Sequence, residues 1–152
     1  MTAAPPPPPY RAPATAARIA LIAESFARLL GRPLVAASDD PVAALWDAPQ
    51  VIVAHDIEPD PVFFFGNRAA LAAFECDVAA FTAMPSRLSA EAPLREERQL
   101  LLDRVTRDGF IDDYAGVRIS ATGRRFRIAG AVVWNLVDAE GLRAGQAATF
   151  AL

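Results

Sequence analysis

The sequence predicts an α+β fold: an antiparallel sheet with helices on one face and an N-terminal amphipathic helix. Three observations carry this. Residues 109–152 read as three consecutive strands, 110–120, 124–137 and 146–152, with tight connections at Gly123 and Gly141. Two shorter apolar runs, 51–55 and 62–65, flank a turn rich in proline and carboxylates and read as a hairpin. Between the hairpin and the last three strands the apolar spacing is helical.

The strand RRFRIAGAVVWNLV is the centre of the prediction. Side chains alternate across a sheet, so Phe126, Ile128, Val132, Trp134 and Leu136 share one face. Arg125, Arg127, Ala129, Ala131, Val133, Asn135 and Val137 share the other, which is apolar from Ala129 to Val133. A strand apolar on both faces needs two covers. Helices 68–108 are expected over Phe126, Ile128, Val132 and Trp134. Helix 16–30, from the same chain or a partner's, is expected over Ala129, Ala131 and Val133.

Taken in order, residues 1–14 form an Ala/Pro-rich tail expected to be disordered, because Pro5 to Pro9 favour an extended polyproline conformation. A bare proline run says little about a proline-binding partner. Residues 15–152 then form a single domain. Thr15 can cap a helix to Leu30, with Gly31 past its end and Ile19, Ile22, Phe26, Leu29 and Leu30 as its apolar stripe. Asp39, Asp40 and Pro41 mark a turn or helix start, with Leu45 and Trp46 as anchors. Asn67 caps a helix presenting Leu71 and Phe74, and a second short helix starts at Asp77. A longer helix, 93–108, begins with Pro93 in its first turn and carries Leu94, Leu101, Leu102 and Val105 as its stripe. Its Glu residues sit near the start and Arg104 and Arg107 near the end, as the helix dipole favours.

The totals exclude several classes of function. The chain has 152 residues, 53% apolar and 22% charged, which suits one packed domain. A net charge of −3 offers no global attraction to nucleic acid or to anionic membranes. All 15 basic residues are Arg, which together with the Ala and Pro content points to a GC-rich genome. Cys76 alone cannot form an intrachain disulfide, and His55 alone cannot serve a site that needs two histidines. No run is long and apolar enough to span a membrane, and the start does not read as a signal peptide, so the expected location is the cytoplasm.

A hairpin, an Asn-capped helical segment and three antiparallel strands follow the order of a PAS domain, with NRAA after the second strand as its local signature. The strings SFARLLGRPLV, HDIEPDPVFFFGNRAALAAFE, MPSRLSAE, REER, GFIDDYAGVRIS, GRRFRI, VVWNLVD and GQAATF together resemble the MEKHLA family of PAS-like domains, found in bacteria and algae and in some plant regulators. The resemblance implies a five-stranded antiparallel sheet in order 2-1-5-4-3, with helices 68–108 across one face. It supplies no catalytic residues. A flavin-photoreactive PAS type needs an Asn-Cys-Arg setting, whereas Cys76 sits in FECDV. A haem type usually draws a His from the long helix, which has none. No cofactor and no metal site is therefore expected.

In such folds a ligand sits between sheet and helices. The candidate ligand-binding residues are Arg87, Tyr114, Phe126, Trp134, Gln146 and His55. Gln146 would either orient a ligand or satisfy a backbone group. His55, Asp56, Glu58 and Asp60 form the densest ionisable cluster. It supports an acid–base pair, a site for one metal ion or, more simply and by preference, a strand end followed by a carboxylate-organised turn. On the third strand Asp113, Ala115, Val117 and Ile119 are expected in the core, and Asp112, Tyr114, Gly116, Arg118 and Ser120 on a charged exposed face. Arg118 would pair with Asp112 or across the sheet. Arg118, Arg124, Arg125 and Arg127 form a basic group able to hold an anion, or simply solvated turn arginines.

The expected function is a stand-alone, homodimeric, sensory or interaction domain, with room for a small molecule and no attached output domain. The alternatives are a small enzyme using His55 with Asp56, or Asp112 and Asp113 with Tyr114, and a pure dimerisation module with a filled core.

Overall fold

The computed structural model describes residues 4–152, with side chains left out at 92–94. Expectations for residues 1–3 and for the Leu94 side chain lie outside the described residues. Five strands form one antiparallel sheet in the order β2-β1-β5-β4-β3, as the resemblance implies. They are β1 (Val51–His55), β2 (Phe63–Gly66), β3 (Phe110–Ile119), β4 (Arg125–Val137) and β5 (Arg143–Phe150). The helices are α1 (Pro8–Arg11), α2 (Pro13–Leu30), α3 (Pro41–Asp47), α4 (Arg68–Phe74), α5 (Val78–Phe81) and α6 (Ala92–Asp108), with a 3-10 turn at Ser86–Ser89. Among the described residues no helix is long and apolar enough to cross a membrane.

Several local signals act as read. Gly31 closes α2 at φ 71°, in the left-handed region that glycine adopts without strain. Asp40 caps α3 through the Ala43 N–H, and Leu45 and Trp46 are buried. Asp77 caps α5 through the Ala80 N–H. Asn67 caps α4 and does more. Its Oδ1 accepts from Ala70 N at 3.0 Å and from Ile52 N at 3.1 Å. Its Nδ2 donates to Gln50 O at 2.8 Å and Leu45 O at 3.1 Å. One buried amide thus joins α3, β1 and α4. Thr15 caps nothing, because α2 begins earlier, at Pro13, with Pro7 and Ala12 preceding the first two helices.

The tail expectation is corrected from Pro8 onward. Tyr10, on α1, is buried to 1% exposure and packs on Phe65 and Trp46. Proline starts both α1 and α2, where its missing N–H costs nothing and its φ already suits a helix. Proline abundance therefore marks helix starts here.

The sheet has a core on each face. On one, α2 and α3 bury Ile19, Ile22, Phe26, Leu45 and Trp46 against Ile52, Ala54, Val132, Trp134 and Leu136. On the other, α4, α5 and α6 bury Phe74, Phe81 and Val105 against Val51, Val53, Ile111, Tyr114, Ile128, Ala131, Val133 and Phe150. This reverses the expected covers for the second half of β4. The cause is a bulge: Tyr114 pairs with Ala131 and Gly116 with Ile128, so Ala129 and Gly130 stand opposite Ala115 alone. Gly130 has φ 63°. The extra residue shifts the alternation, so Ile128 and Ala131 share a face while Val132 and Trp134 take the other. Ala129, expected under α2, is exposed.

A second bulge places Asp112 and Asp113 opposite Val132, between the pairs Ile111–Val133 and Tyr114–Ala131. Both aspartates are exposed, whereas Tyr114 and Arg118 are buried. The expected faces of β3 are thereby exchanged. Helix α2 of the same chain covers the sheet: Trp134 Nε1 donates to Ile22 O at 3.1 Å, and Ser25 Oγ accepts from Val137 N at 3.0 Å.

A candidate ligand cavity between sheet and α6

The face covered by α4–α6 holds a cavity of about 50 Å³. Its wall is mostly apolar, with Val53, Phe63, Leu101, Leu102, Ile111, Ile128 and Phe150. The polar lining is His55, Ser89, Arg98, Tyr114, Arg118 and Gln146. They come from β1, the 3-10 turn, α6, β3 and β5. A crossed antiparallel order brings β1 and β5 side by side, pairing His55 with Gln146.

Three of the six expected binding residues, His55, Tyr114 and Gln146, line this cavity. Phe126 lies beside it, packed on Phe74 and Phe150, and is not part of the wall. Trp134 is on the opposite face because of the Gly130 bulge, and edge-packs on Phe26. Arg87 is at the surface, where it pairs with Asp60 of the hairpin turn at 3.0 Å. Two cavity residues that pattern reading did not select, Arg98 and Ser89, came without a signal. Arg98 sits on a helix whose other charges are solvated, and only the packing of α6 on the sheet sets it apart.

His55 is buried, and burial pushes its pKa down to about 4; the Arg98 and Arg143 charges act the same way, against the Asp56 carbonyl and carboxylate. Its Nδ1 lies 2.8 Å from the Asp56 carbonyl oxygen, which assigns the ring proton to Nδ1 and leaves Nε2 an acceptor. The Asp56 carboxylate instead organises the turn, accepting from Val62 N at 3.0 Å and Glu58 N at 3.2 Å. His55 therefore makes no carboxylate pair with Asp56, and Asp112 and Asp113 are exposed.

Gln146 Nε2 donates to Thr106 Oγ1 at 2.9 Å, Asn135 Oδ1 at 3.1 Å and Leu102 O at 3.3 Å. These three acceptors fix the amide's orientation, and the two expected roles divide between its atoms: Nε2 satisfies α6, while Oε1 is buried with no partner. His55 Nε2 is likewise buried and unpartnered. Arg118 donates to the Tyr114 hydroxyl and stacks on that ring at 4.9 Å, the partner it takes in place of Asp112. Of the remaining arginines expected as a basic group, Arg124 pairs with Glu75 and Arg125 with Glu91 at the surface, and Arg127 is exposed.

Arg98 is only 9% exposed. Burial pushes its pKa down to about 10, and the charge of Arg118 adds to the effect. Among the described residues neither Arg98 nor Arg118 forms an ion pair with a carboxylate. No three His, Cys, Asp or Glu side chains among the described residues gather as a metal site.

Comparison with known proteins agrees with this architecture. The PAS domain of a protein from Colwellia psychrerythraea superposes with a TM-score of 0.59 at 12% identity, over 70% of this chain and 88% of that one. The light-state dimer of the fungal blue-light photoreceptor Vivid gives 0.60 at 14% identity, over 85% and 92%. An RNA-binding light-oxygen-voltage receptor gives 0.59 at 15% identity over 70% of this chain, which spans 30% of that one. At these identities the likeness is one of fold. A comparison with curated proteins finds no match. The MEKHLA domain family matches residues 16–152, nearly the whole described chain from α2 to β5. With its five-stranded sheet, its Asn67-capped helix and its PAS-like order, the chain belongs to the MEKHLA domain family.

Proposed function

We propose that this PAS-like domain senses a small molecule held between its sheet and α6. The observation that carries the reading is the pair of buried polar atoms without partners, His55 Nε2 and Gln146 Oε1, in a cavity whose wall is mostly apolar. Buried polar atoms are almost always hydrogen-bonded, so such a pair beside a cavity supports an occupant. The ligand-contacting set proposed is His55, Ser89, Arg98, Tyr114, Arg118 and Gln146. Flavin and haem are left out of this reading. A cavity of about 50 Å³ does not suit either group, and Cys76, the single thiol, is not in its wall. Native mass spectrometry of protein purified from its own host tests the proposal. A retained small molecule supports it, and its loss on denaturation is expected. A chain at its bare mass under non-denaturing conditions overturns it.

Self-association is proposed as the means by which the signal is passed on, with a cytoplasmic location. The support is the likeness to Vivid, whose structure is that of a light-state dimer. The sheet face once available to a partner is covered by the chain's own α2, so the contact would use another surface. Sedimentation at micromolar concentration checks this, and a monomer with and without ligand would end it.

A further inference from the structure

Within that reading, the chemistry of the cavity narrows the ligand class. Arg98 and Arg118 both line it, both are nine-tenths buried, and neither has an anionic partner among the described residues. Two like charges brought together in an apolar wall repel each other and lose hydration. A negative group between them offsets both costs, and a guanidinium offers a fork of donors to a carboxylate. Tyr114 accepts from Arg118, which leaves its own hydroxyl proton for a further acceptor. The opposite requirement is met by His55 Nε2 and Gln146 Oε1, which are acceptors without donors. The cavity thus calls for a negative charge and a hydrogen-bond donor in one molecule. Its volume of about 50 Å³ restricts the occupant to a small molecule.

We infer that the cavity binds a short-chain hydroxycarboxylate, its carboxylate held by Arg98, Arg118 and Tyr114 and its hydroxyl donated to Gln146 or His55. Arg98 is the side chain that pattern reading had no means to select. It is also the one whose charge serves nothing else in the fold: it makes no ion pair among the described residues, whereas Arg118 also holds Tyr114.

The test uses the full chain and three matched probes, by isothermal titration and thermal unfolding. Lactate carries both groups, propionate lacks the hydroxyl, and propane-1,2-diol lacks the carboxylate. Lactate is expected to bind and raise the unfolding temperature, with propionate weaker by about tenfold and the diol weaker still. Arg98→Gln is expected to lower lactate affinity by about tenfold or more, and Arg98→Lys to restore part of it. The ligand-free Arg98→Gln protein is expected to unfold at a higher temperature than the parent, because an unpaired buried charge is gone, and this shows that the variant folds. Equal binding of lactate and the diol would overturn charge recognition. Equal binding of lactate and propionate would overturn the role of the hydroxyl. If none of the three binds while the host-purified protein retains another molecule, this inference falls and the sensing function stands. If none binds and the host-purified chain is bare, both fall.

Discussion

The Tyr10 hydroxyl donates to the Gly66 carbonyl at 2.9 Å and accepts the Gly66 N–H at 3.0 Å, across 56 residues of chain. Both backbone groups of the last β2 residue are thereby satisfied by one side chain from a short proline-started helix. Burial pushes the Tyr10 pKa up to about 12, so the hydroxyl keeps its proton through the physiological range. Tyr10→Phe leaves two buried backbone groups without a partner and is expected to destabilise by about 2 kcal/mol. Removal of residues 1–12 deletes the ring as well, which packs on Phe65 and Trp46, and is expected to cost more. Urea unfolding of both forms checks this. A truncated chain as stable as the parent would show that the segment is dispensable.

Asn67 is fully buried, with Oδ1 accepting two backbone N–H groups and Nδ2 donating to backbone carbonyls of the α3–β1 connection. Asn67→Asp keeps the cap but turns a donor into a negatively charged acceptor facing those carbonyls. It is expected to destabilise by at least about 3 kcal/mol, the cost of lost bonds plus a buried, repelled charge. The reverse change, Asp77→Asn, on an exposed cap, is expected to cost under about 1 kcal/mol. Thermal unfolding of the two variants side by side gives the contrast.

His55 supplies a pH dependence whose sign follows from its burial. Its native pKa is pushed down to about 4, against an unfolded value near 6.5. Above about pH 6.5 neither state holds the proton. Between about 6.5 and 4 the unfolded chain takes it up and the native chain does not, so stability falls as pH falls. The loss from this group is at most about 3 kcal/mol and levels off below about pH 4. Denaturant unfolding at pH 7 and pH 4.5 measures it, and His55→Gln is expected to flatten the profile in that window. An unchanged slope in that variant would assign the dependence to other groups.

How much of this was legible in the chain depended on how far the physics was local. The caps made by Asn67, Asp40 and Asp77 and the turn at Gly31 act within a few residues, and each is what its residue type predicts. The strand order came from resemblance, and the existence of each strand from its own pattern. Tyr10 was missed because its partner is 56 residues away and its neighbours are prolines. Trp134 was placed in the cavity, and Tyr114 and Arg118 on an exposed face, because alternation was carried through two bulges. Nothing in the sequence marks Asp112–Asp113 as doubled opposite one residue, although a glycine in the middle of an apolar strand is a signal of the other bulge. His55 and Gln146 fell on the cavity because β1 and β5 pair in unbroken register up to and through them.

The Gly130 bulge is therefore the position on which the two faces of the sheet depend, and substitution and deletion there are expected to differ sharply. Gly130 is exposed, has φ 63°, and a Cβ added to it would meet nothing. Gly130→Ala pays only the left-handed backbone cost of a residue with a Cβ, about 1–2 kcal/mol. Deleting Gly130 restores strict alternation and drives Trp134 toward the cavity face, away from Phe26 and the Ile22 carbonyl that its indole N–H holds at 3.1 Å. Every buried side chain from Ala131 to Leu136 would face the wrong core. The deletion is expected to abolish cooperative unfolding, with the emission of Trp134 shifted to the red, while the alanine variant unfolds cooperatively with a modestly lowered midpoint. A deletion variant that unfolded like the parent would mean that the strand slips past the bulge without changing faces, and the assignment of Trp134 to the α2 side would then be wrong.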